Sequence, residues 1–358
     1  MKKFLYKPVV LLAAIIAGAA TLSSQEVTRN FSKTFPVKPS TTVTIDNRYG
    51  EVTVETWNRN EVSIDVNVKV ELPTMERSER LISLIGIEFV ETDTSVGAVT
   101  VLDDRFSATL RGFGNNKFTI DYTVRMPASN SLNAVHSYGN LKISDLAGKV
   151  NIDLRYGTLI ILNLARGNEK PINSISVAYS KVTIENANWI SMISRYSTDM
   201  KINQVQAMTL DSRYSKIFVD KAGSIVADSK YDNLRIGEIN NLVAESAYTN
   251  YKLETLTGQL SLDTRYGSIE TVRIPAGFRD ITVNSAYANV ILGIDKSAAY
   301  KLDAKVNYGS LSFCEECVIL KRQFADRTSH EISGVAGKSD NPASTVDITA
   351  SYGSVTLR

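Results

Sequence analysis

Apolar and polar residues alternate with period two along most of this chain, and the alternation is interrupted at regular intervals. "LDSRYSKIFV" at 210–219 is followed by "ADSKYDNLRI" at 227–236, "AESAYTNYKL" at 244–253 and "LDTRYGSIET" at 262–271. Period two means strand. A repeat this short means that one unit cannot bury its own apolar face and must stack on its neighbours. Tyrosine marks the unit at Tyr49, Tyr138, Tyr156, Tyr179, Tyr196, Tyr214, Tyr231, Tyr248, Tyr266, Tyr287, Tyr308 and Tyr352. From Tyr138 to Tyr308 the steps are 18, 23, 17, 18, 17, 17, 18, 21 and 21 residues.

Each column of the repeat has its own chemistry. Four and six residues before the marker the positions are apolar, as at Leu210 and Met208 or Leu262 and Leu260. This spacing predicts a face shared with the tyrosine itself, and so an aromatic ladder at an inner corner. After the marker comes a turn-prone residue, such as Gly157, Ser215, Asp232 or Gly267. The apolar set then shifts by one, to Ile217 and Val219 or Leu234 and Ile236, as a corner between two strands would produce. Stacked units place equivalent residues about 4.8 Å apart. The ladder is expected to include Tyr156, Tyr196, Tyr214, Tyr231, Tyr248 and Tyr266.

The pattern predicts an all-β chain built as a parallel β-solenoid, a single-stranded β-helix with 17–18-residue rungs. Its expected hand is right, the hand of most parallel β crossovers. The repeats cover 131–358, with a loop insertion at 313–345 and a closing rung at 346–358. Residues 25–130 hold the first rung, "TVTIDNRYGEVTVETW", and a β-rich N-terminal cap. In that cap "EVSIDVNVKVEL", "AVTVL" and "KFTIDYTVRMP" read as strands, and 75–86 as the only helix.

Outward positions carry alternating charge. Asp153 with Arg155, Asp211 with Arg213, Asp228 with Lys230 and Asp263 with Arg265 stand three and one before their tyrosines. Arg beside Asp is also found in catalytic sites, but such a site is singular and this pair recurs. A surface salt-bridge ladder controlling register and edges fits better, each pair contributing about 0–1 kcal/mol. On that reading Arg213→Ala costs under about 1 kcal/mol. Two before the marker runs a polar column, Ser194, Ser212, Ser229, Ser246, Thr264 and Ser285, with His136 in the same place in its own rung. Corner hydrogen bonding is the expected role of both.

The chain begins with Lys2, Lys3 and Lys7, then an apolar run from Val9 to Ala20, then small residues. That is the layout of a secretory signal peptide over residues 1–24. An uncleaved anchor would need roughly 20 apolar residues, and the run is about a dozen. Export to the periplasm, the outer-membrane surface or the medium is expected. Net charge is +2 with no basic block, which excludes nucleic acid as the expected partner. Cys314 and Cys317 are the two cysteines, and in an exported chain a disulfide is the ordinary expectation. It requires a turn after Phe313, because residues three apart in a strand lie about 10 Å apart. A redox CxxC would need a helix N-terminus, and two thiolates fall short of a zinc site. No catalytic, cofactor or metal constellation is expected, and His330 stands without a second histidine near it in sequence.

The stretch "FPVKPSTTVTIDNRYGEVTVETWNRNEVSIDVNV", the many Y-G and Y-S corners and the terminal "DITASYGSVTLR" carry a resemblance. From about Phe35 to Arg358 the chain resembles the putative-adhesin β-solenoid family, a domain of unknown function in exported bacterial proteins. It is also similar to auto-transporter adhesin head domains. The resemblance implies an envelope location and adhesin-like contact with an envelope or extracellular protein or a glycan. It supplies no catalytic residues. The alternatives to weigh are a polysaccharide-acting enzyme on a β-helix scaffold and a self-assembling envelope element.

Overall fold

The computed structural model describes residues 25–111 and 117–358, so the signal-peptide reading of 1–24 lies outside the described residues. The described chain is all-β, with its strands stacked in one hydrogen-bonded sheet. Strands Lys181–Arg195, Asp199–Arg213, Lys216–Lys230, Asn233–Ala247 and Asn250–Ile274 pair in parallel, each with the next. One column of register runs Ile184, Ile202, Val219, Ile236, Leu253. Another runs Met192, Leu210, Ala227, Ala244, Leu262, Val283. Both columns are buried and belong to one continuous apolar core. The longer steps are absorbed by loops, 165–172 after the Tyr156 rung and 275–279 after the Tyr266 rung.

The corner between the two strands of a rung is the tyrosine. All twelve marker tyrosines have φ between 53° and 66°, the left-handed region. This single conformation explains the shift of the apolar set: it turns the chain so that positions three and five after the marker face the core again. It also corrects the expectation of an inner aromatic corner. The same turn swings each ring outward, and the ladder residues from Tyr138 onward are 43–59% exposed.

The N-terminal cap folds onto the Tyr49 rung. Ser95–Leu102 and Lys117–Pro127 pair in parallel with the two halves of Thr42–Trp57, on the side away from the Tyr138 rung. Gln25–Pro36 and Glu61–Leu72 continue the sheet as antiparallel strands. The helix expected at 75–86 is α1, Met75–Ile82, capped by Thr74 and buried through Leu81 and Ile82. It is not the only one, because α2 spans Phe106–Arg111. The period-two reading of the cap missed Gln25–Pro36 and Ile85–Glu91 as strands.

At the other end the chain departs from sequence order. The last rung, Ser344–Ser351 with Ser354–Leu357, does not close the stack. It slots between the Tyr287 and Tyr308 rungs, paired in parallel with Asp280–Ile294 on one side and Tyr300–Asn307 on the other. The 313–345 insertion is mostly a hairpin, Val318–Ala325 with Ser329–Ala336. Its second strand pairs antiparallel with Tyr300–Asn307 and covers the end of the stack. Edge strands left bare template unwanted pairing. Here both halves of the Tyr49 rung are covered, and the Tyr308 rung is covered over Tyr300–Asn307 but not over Ser310–Ser312, which pairs only with Ser354–Leu357.

Insertion of the last rung sets Asp347 beside Asp303 in register. Burial, then the charges of Asp303 and Asp280, raise the Asp347 pKa above its ordinary value. Above that raised pKa the ionised carboxyl weakens the folded state. The loss fades as pH falls through it and is gone below the unfolded carboxyl value of about 3.9. Asp347→Asn is therefore expected to raise the melting temperature at neutral pH and to leave it unchanged in strong acid. Equal gains at both pH values would show that charge is not the cause.

Candidate functional site

A tyrosine in the left-handed region costs roughly 1–2 kcal/mol. The stack offsets most of it. Ring centroids of successive rungs lie 4.8–5.3 Å apart with interplanar angles of 2–14°. Aromatic pairs contribute about 0.5–1.5 kcal/mol each beyond burial. Tyr156, Tyr196, Tyr214, Tyr231, Tyr248 and Tyr266 all lie in this stack, and the order at its end is Tyr287, Tyr352, Tyr308. Phe118 and Phe106, from the cap, close it against Tyr49 at 5.0 and 6.3 Å. With rungs about 4.8 Å apart the stripe runs on the order of 50 Å. Its ring faces are covered by one another, so what it presents to solvent is a row of ring edges and phenol hydroxyls.

Beneath the stripe the corner leaves a backbone N–H pointing inward after each tyrosine. The next rung supplies the acceptor. Ser180 N–H donates to Ser197 Oγ (3.2 Å), Ser197 N–H to Ser215 Oγ (3.4 Å), Ser215 N–H to Asp232 Oδ1 (2.7 Å) and Asp232 N–H to Thr249 Oγ1 (3.4 Å). The hydroxyls two before the tyrosine join the same ladder: Ser194 with Ser215 at 2.9 Å, Ser229 to Asp232 at 2.6 Å, Ser246 to Thr264 at 2.9 Å. Asp232 is a nearly buried carboxylate satisfied by two hydroxyls, Ser212 and Ser229, and two backbone N–H groups, Ser215 and Lys230. Gly157 N–H donates to Ser180 Oγ at 3.3 Å in the same way, but the glycine supplies no acceptor to the rung before it. A Cβ on Gly157 would lie 1.8 Å from the Gly139 carbonyl oxygen, so no hydroxyl fits there. His136 is buried with its ring nitrogens 3.2 and 3.1 Å from the carbonyl oxygens of Asn47 and Gly50, and burial lowers its pKa.

The charged columns flank the stripe, but they do not pair uniformly. Arg213 bridges to the next rung, with Nη2 2.9 Å from Asp228 Oδ2 and Nη1 donating to the Asp228 carbonyl at 2.9 Å. It also reaches Asp211 of its own rung at 2.9 Å. Arg195 holds Asp211 the same way, at 2.8 Å, and this bond first of all lowers the Asp211 pKa. In the rung after Arg155 the acid position, in register with Asp153, is held by Ser176, so Arg155 pairs instead with Asp153 beside it at 3.2 Å. Lys230, Asp263 and Arg265 make no ion pair within 4 Å among the described residues. The ladder is thus a guanidinium clamp between rungs where an Arg meets an acid of the next rung, an in-rung pair at Arg155, and charge without an ion pair within 4 Å at Lys230, Asp263 and Arg265.

This corrects the expectation for Arg213. Its side chain is 21% exposed, against 61% for Arg155. Arg213→Ala is expected to cost about 1–3 kcal/mol through lost charged hydrogen bonds, and Arg155→Ala under about 1 kcal/mol. Urea melts of the two variants check the order.

Cys314 and Cys317 are joined at 2.00 Å across the one-turn helix Glu315–Cys317, with Cα atoms 5.3 Å apart. The turn sits where the spacing demanded one. His330 lies on the hairpin strand Ser329–Ala336. Among the described residues no three His, Cys, Asp or Glu side chains gather as metal ligands. No described helix is long and apolar enough to cross a membrane, which leaves β-barrels unaddressed.

No protein-family model matches this chain, and no curated protein does. Among solved structures it is similar to a putative cell adhesion protein from Clostridium sporogenes, with 12% identity over 92% of this chain and 99% of that one, at a TM-score of 0.20. It is also similar to a putative adhesin from Bacteroides fragilis, with 10% identity, 92% and 97% coverage and a TM-score of 0.30. A putative lipid binding protein from Parabacteroides distasonis gives 10% identity, 92% and 96% coverage and a TM-score of 0.28. Likenesses at these TM-scores carry no weight here, and the architecture rests on the strand registers above.

Proposed function

We propose that the chain is a parallel β-solenoid serving as a non-enzymatic, adhesin-like binding scaffold of the cell envelope, exported by the leader at 1–24. Its partner is an envelope or extracellular protein or a glycan. The observation that carries the reading is the exposed tyrosine stripe. A row of phenol hydroxyls at rung spacing, flanked by Asp and Arg, is a surface suited to repeated hydrogen bonds with an extended partner. Because the ring faces are taken up by stacking, contact is made through edges and hydroxyls and not by stacking on sugar rings.

Two rivals are weaker. An enzyme needs a singular set of groups, and the charged pairs here recur in register with the repeat. A self-assembling element needs open rung ends, and here the cap covers the Tyr49 rung and the hairpin covers the longer strand of the Tyr308 rung, leaving only the three-residue Ser310–Ser312 edge. The test is binding of chain 25–358 to a glycan array and to isolated envelope proteins, beside turnover assays on acidic polysaccharides. Changing Tyr196, Tyr214, Tyr231 and Tyr248 to Phe keeps the stack and deletes the hydroxyls. Loss of binding is the expected result. Unchanged binding by that variant, or turnover abolished by one acid substitution, overturns the reading.

A further inference from the structure

Away from the stripe, at the other corner of the rungs, one outward column steps down in size. Trp189 stands in register with Ala207, and Ala207 with Ser224. Next to that column is Gly223, whose Cβ, if present, would lie 2.4 Å from the Gln206 carbonyl oxygen. The fall from indole to methyl to hydroxymethyl leaves a hollow of about 610 Å³. Its walls are Trp189, Ile172, Met208 and Val226, and Val226 is 52% exposed. The 165–172 loop overhangs it and is tied down at both ends. Asn188 Nδ2 donates to the Ala165 carbonyl at 2.7 Å, and Asn173 Nδ2 to the Trp189 carbonyl at 3.3 Å.

The polar lining of the hollow is one cation, three side-chain amides and two hydroxyls, with no carboxylate. Lys170 is the single charged side chain lining it, and it makes no ion pair within 4 Å among the described residues. Its neighbour Glu169 is engaged by Arg166 at 3.0 Å. The other polar lining is neutral, with side-chain amides at Asn168, Gln206 and Asn240. A concave apolar wall with a small number of placed polar groups, at this volume, is the form of a small-molecule site. An apolar body with one negative end complements a greasy wall that has one free cation and no carboxylate.

We propose that this hollow binds a single-chain amphiphile with a carboxylate head, a fatty acid. The tail lies along Trp189, Met208 and Val226, and the carboxylate meets the Lys170 ammonium. The site is independent of the tyrosine stripe, so either proposal can fail alone.

Trp57 and Trp189 are the two tryptophans of the chain, so a Trp57→Phe background leaves Trp189 as a fluorescent reporter in the wall. Dodecanoate, titrated below its micelle concentration, is expected to give a saturable blue shift. Dodecanol is expected to bind at least tenfold more weakly, and dodecyltrimethylammonium more weakly still. Lys170→Gln is expected to weaken dodecanoate at least tenfold while leaving dodecanol unchanged. Ser224→Phe fills the hollow and abolishes both. If that variant fails to fold, the exposed Val226→Glu, which repels the carboxylate, is expected to abolish dodecanoate binding alone. No saturable shift, equal response to the ammonium amphiphile, or indifference to Lys170→Gln overturns the proposal. So does a shift by phosphatidylglycerol vesicles as large as that by dodecanoate, which would make a membrane surface the occupant.

Discussion

Removing residues 344–358 is expected to unfold the C-terminal end of the stack, not merely to shorten it. The deleted rung is hydrogen-bonded on both sides, to Asp280–Ile294 and to Tyr300–Asn307. Val346, Ile348, Ala350 and Val355 are buried in the shared core. Each large aliphatic side chain contributes roughly 1.5–3 kcal/mol by burial. Their loss alone matches much of the 5–15 kcal/mol that stabilises an ordinary domain. The Tyr308 rung and its hairpin would then hang from the stack by the 295–299 loop, with two bare parallel edges facing each other. Aggregation and loss of amide protection over 280–336 are the expected outcomes, with protection over 181–250 retained. Native-state hydrogen exchange on the truncated chain reads both. Unchanged protection over 280–307 would show that the Tyr287 and Tyr308 rungs pair directly, and that the intercalated order is wrong.

The repeat was legible because parallel stacking makes every rung answer the same physical demand. Alternation at 208, 210, 217 and 219 shows a core face whatever lies above or below it. Two kinds of feature were not legible. The tyrosine's outward turn depends on φ, and residue type argues against it, since glycine or asparagine usually takes that conformation. Twelve tyrosines each followed by a small or polar residue were the available signal. The spatial order of rungs was hidden as well, because a rung carries no label saying which neighbour it joins. "DITASYGSVTLR" reads as a last rung in sequence and is the last but one in space. Gln25–Pro36 was missed because "QEVTRNFSKTFP" places its apolar residues four apart, so alternation shows only once Glu61–Leu72 lies beside it. Among the candidate groups, the Asp and Arg columns were visible in sequence. Which of them clamp was not, since that depends on the acid of the next rung in space. Phe118 shared the alternation of "KFTIDYTVRMP" with nothing to mark it as the end of the ladder, while Phe106, which closes the stack with it, and Trp189, which walls the hollow, carried no periodic signal.

Leu210→Asp is expected to cost several kcal/mol, and the reason lies in the one carboxyl group that, among the described residues, this interior does bury. Asp232 is nearly as buried as Leu210, yet it receives hydrogen bonds from two hydroxyls and two backbone N–H groups at the corner. Leu210 sits five residues before Ser215, the equivalent corner position of its own rung, between Met192 and Ala227, whose side chains offer no donor. Its backbone N–H and those beside it are engaged in the parallel ladder. An unpaired buried charge shifts its pKa upward or unfolds the site, at about 3–5 kcal/mol for an uncompensated group. The variant's carboxyl would therefore have a raised folded pKa, so its stability deficit shrinks as pH falls. Leu210→Ala supplies the control, because Ala227 and Ala244 already occupy this column and show that the small side chain is accommodated. Denaturant melts of the two variants at neutral and acid pH separate the loss of volume from the burial of charge. A deficit for Leu210→Asp no larger than for Leu210→Ala at neutral pH would place this column on the outside of the stack.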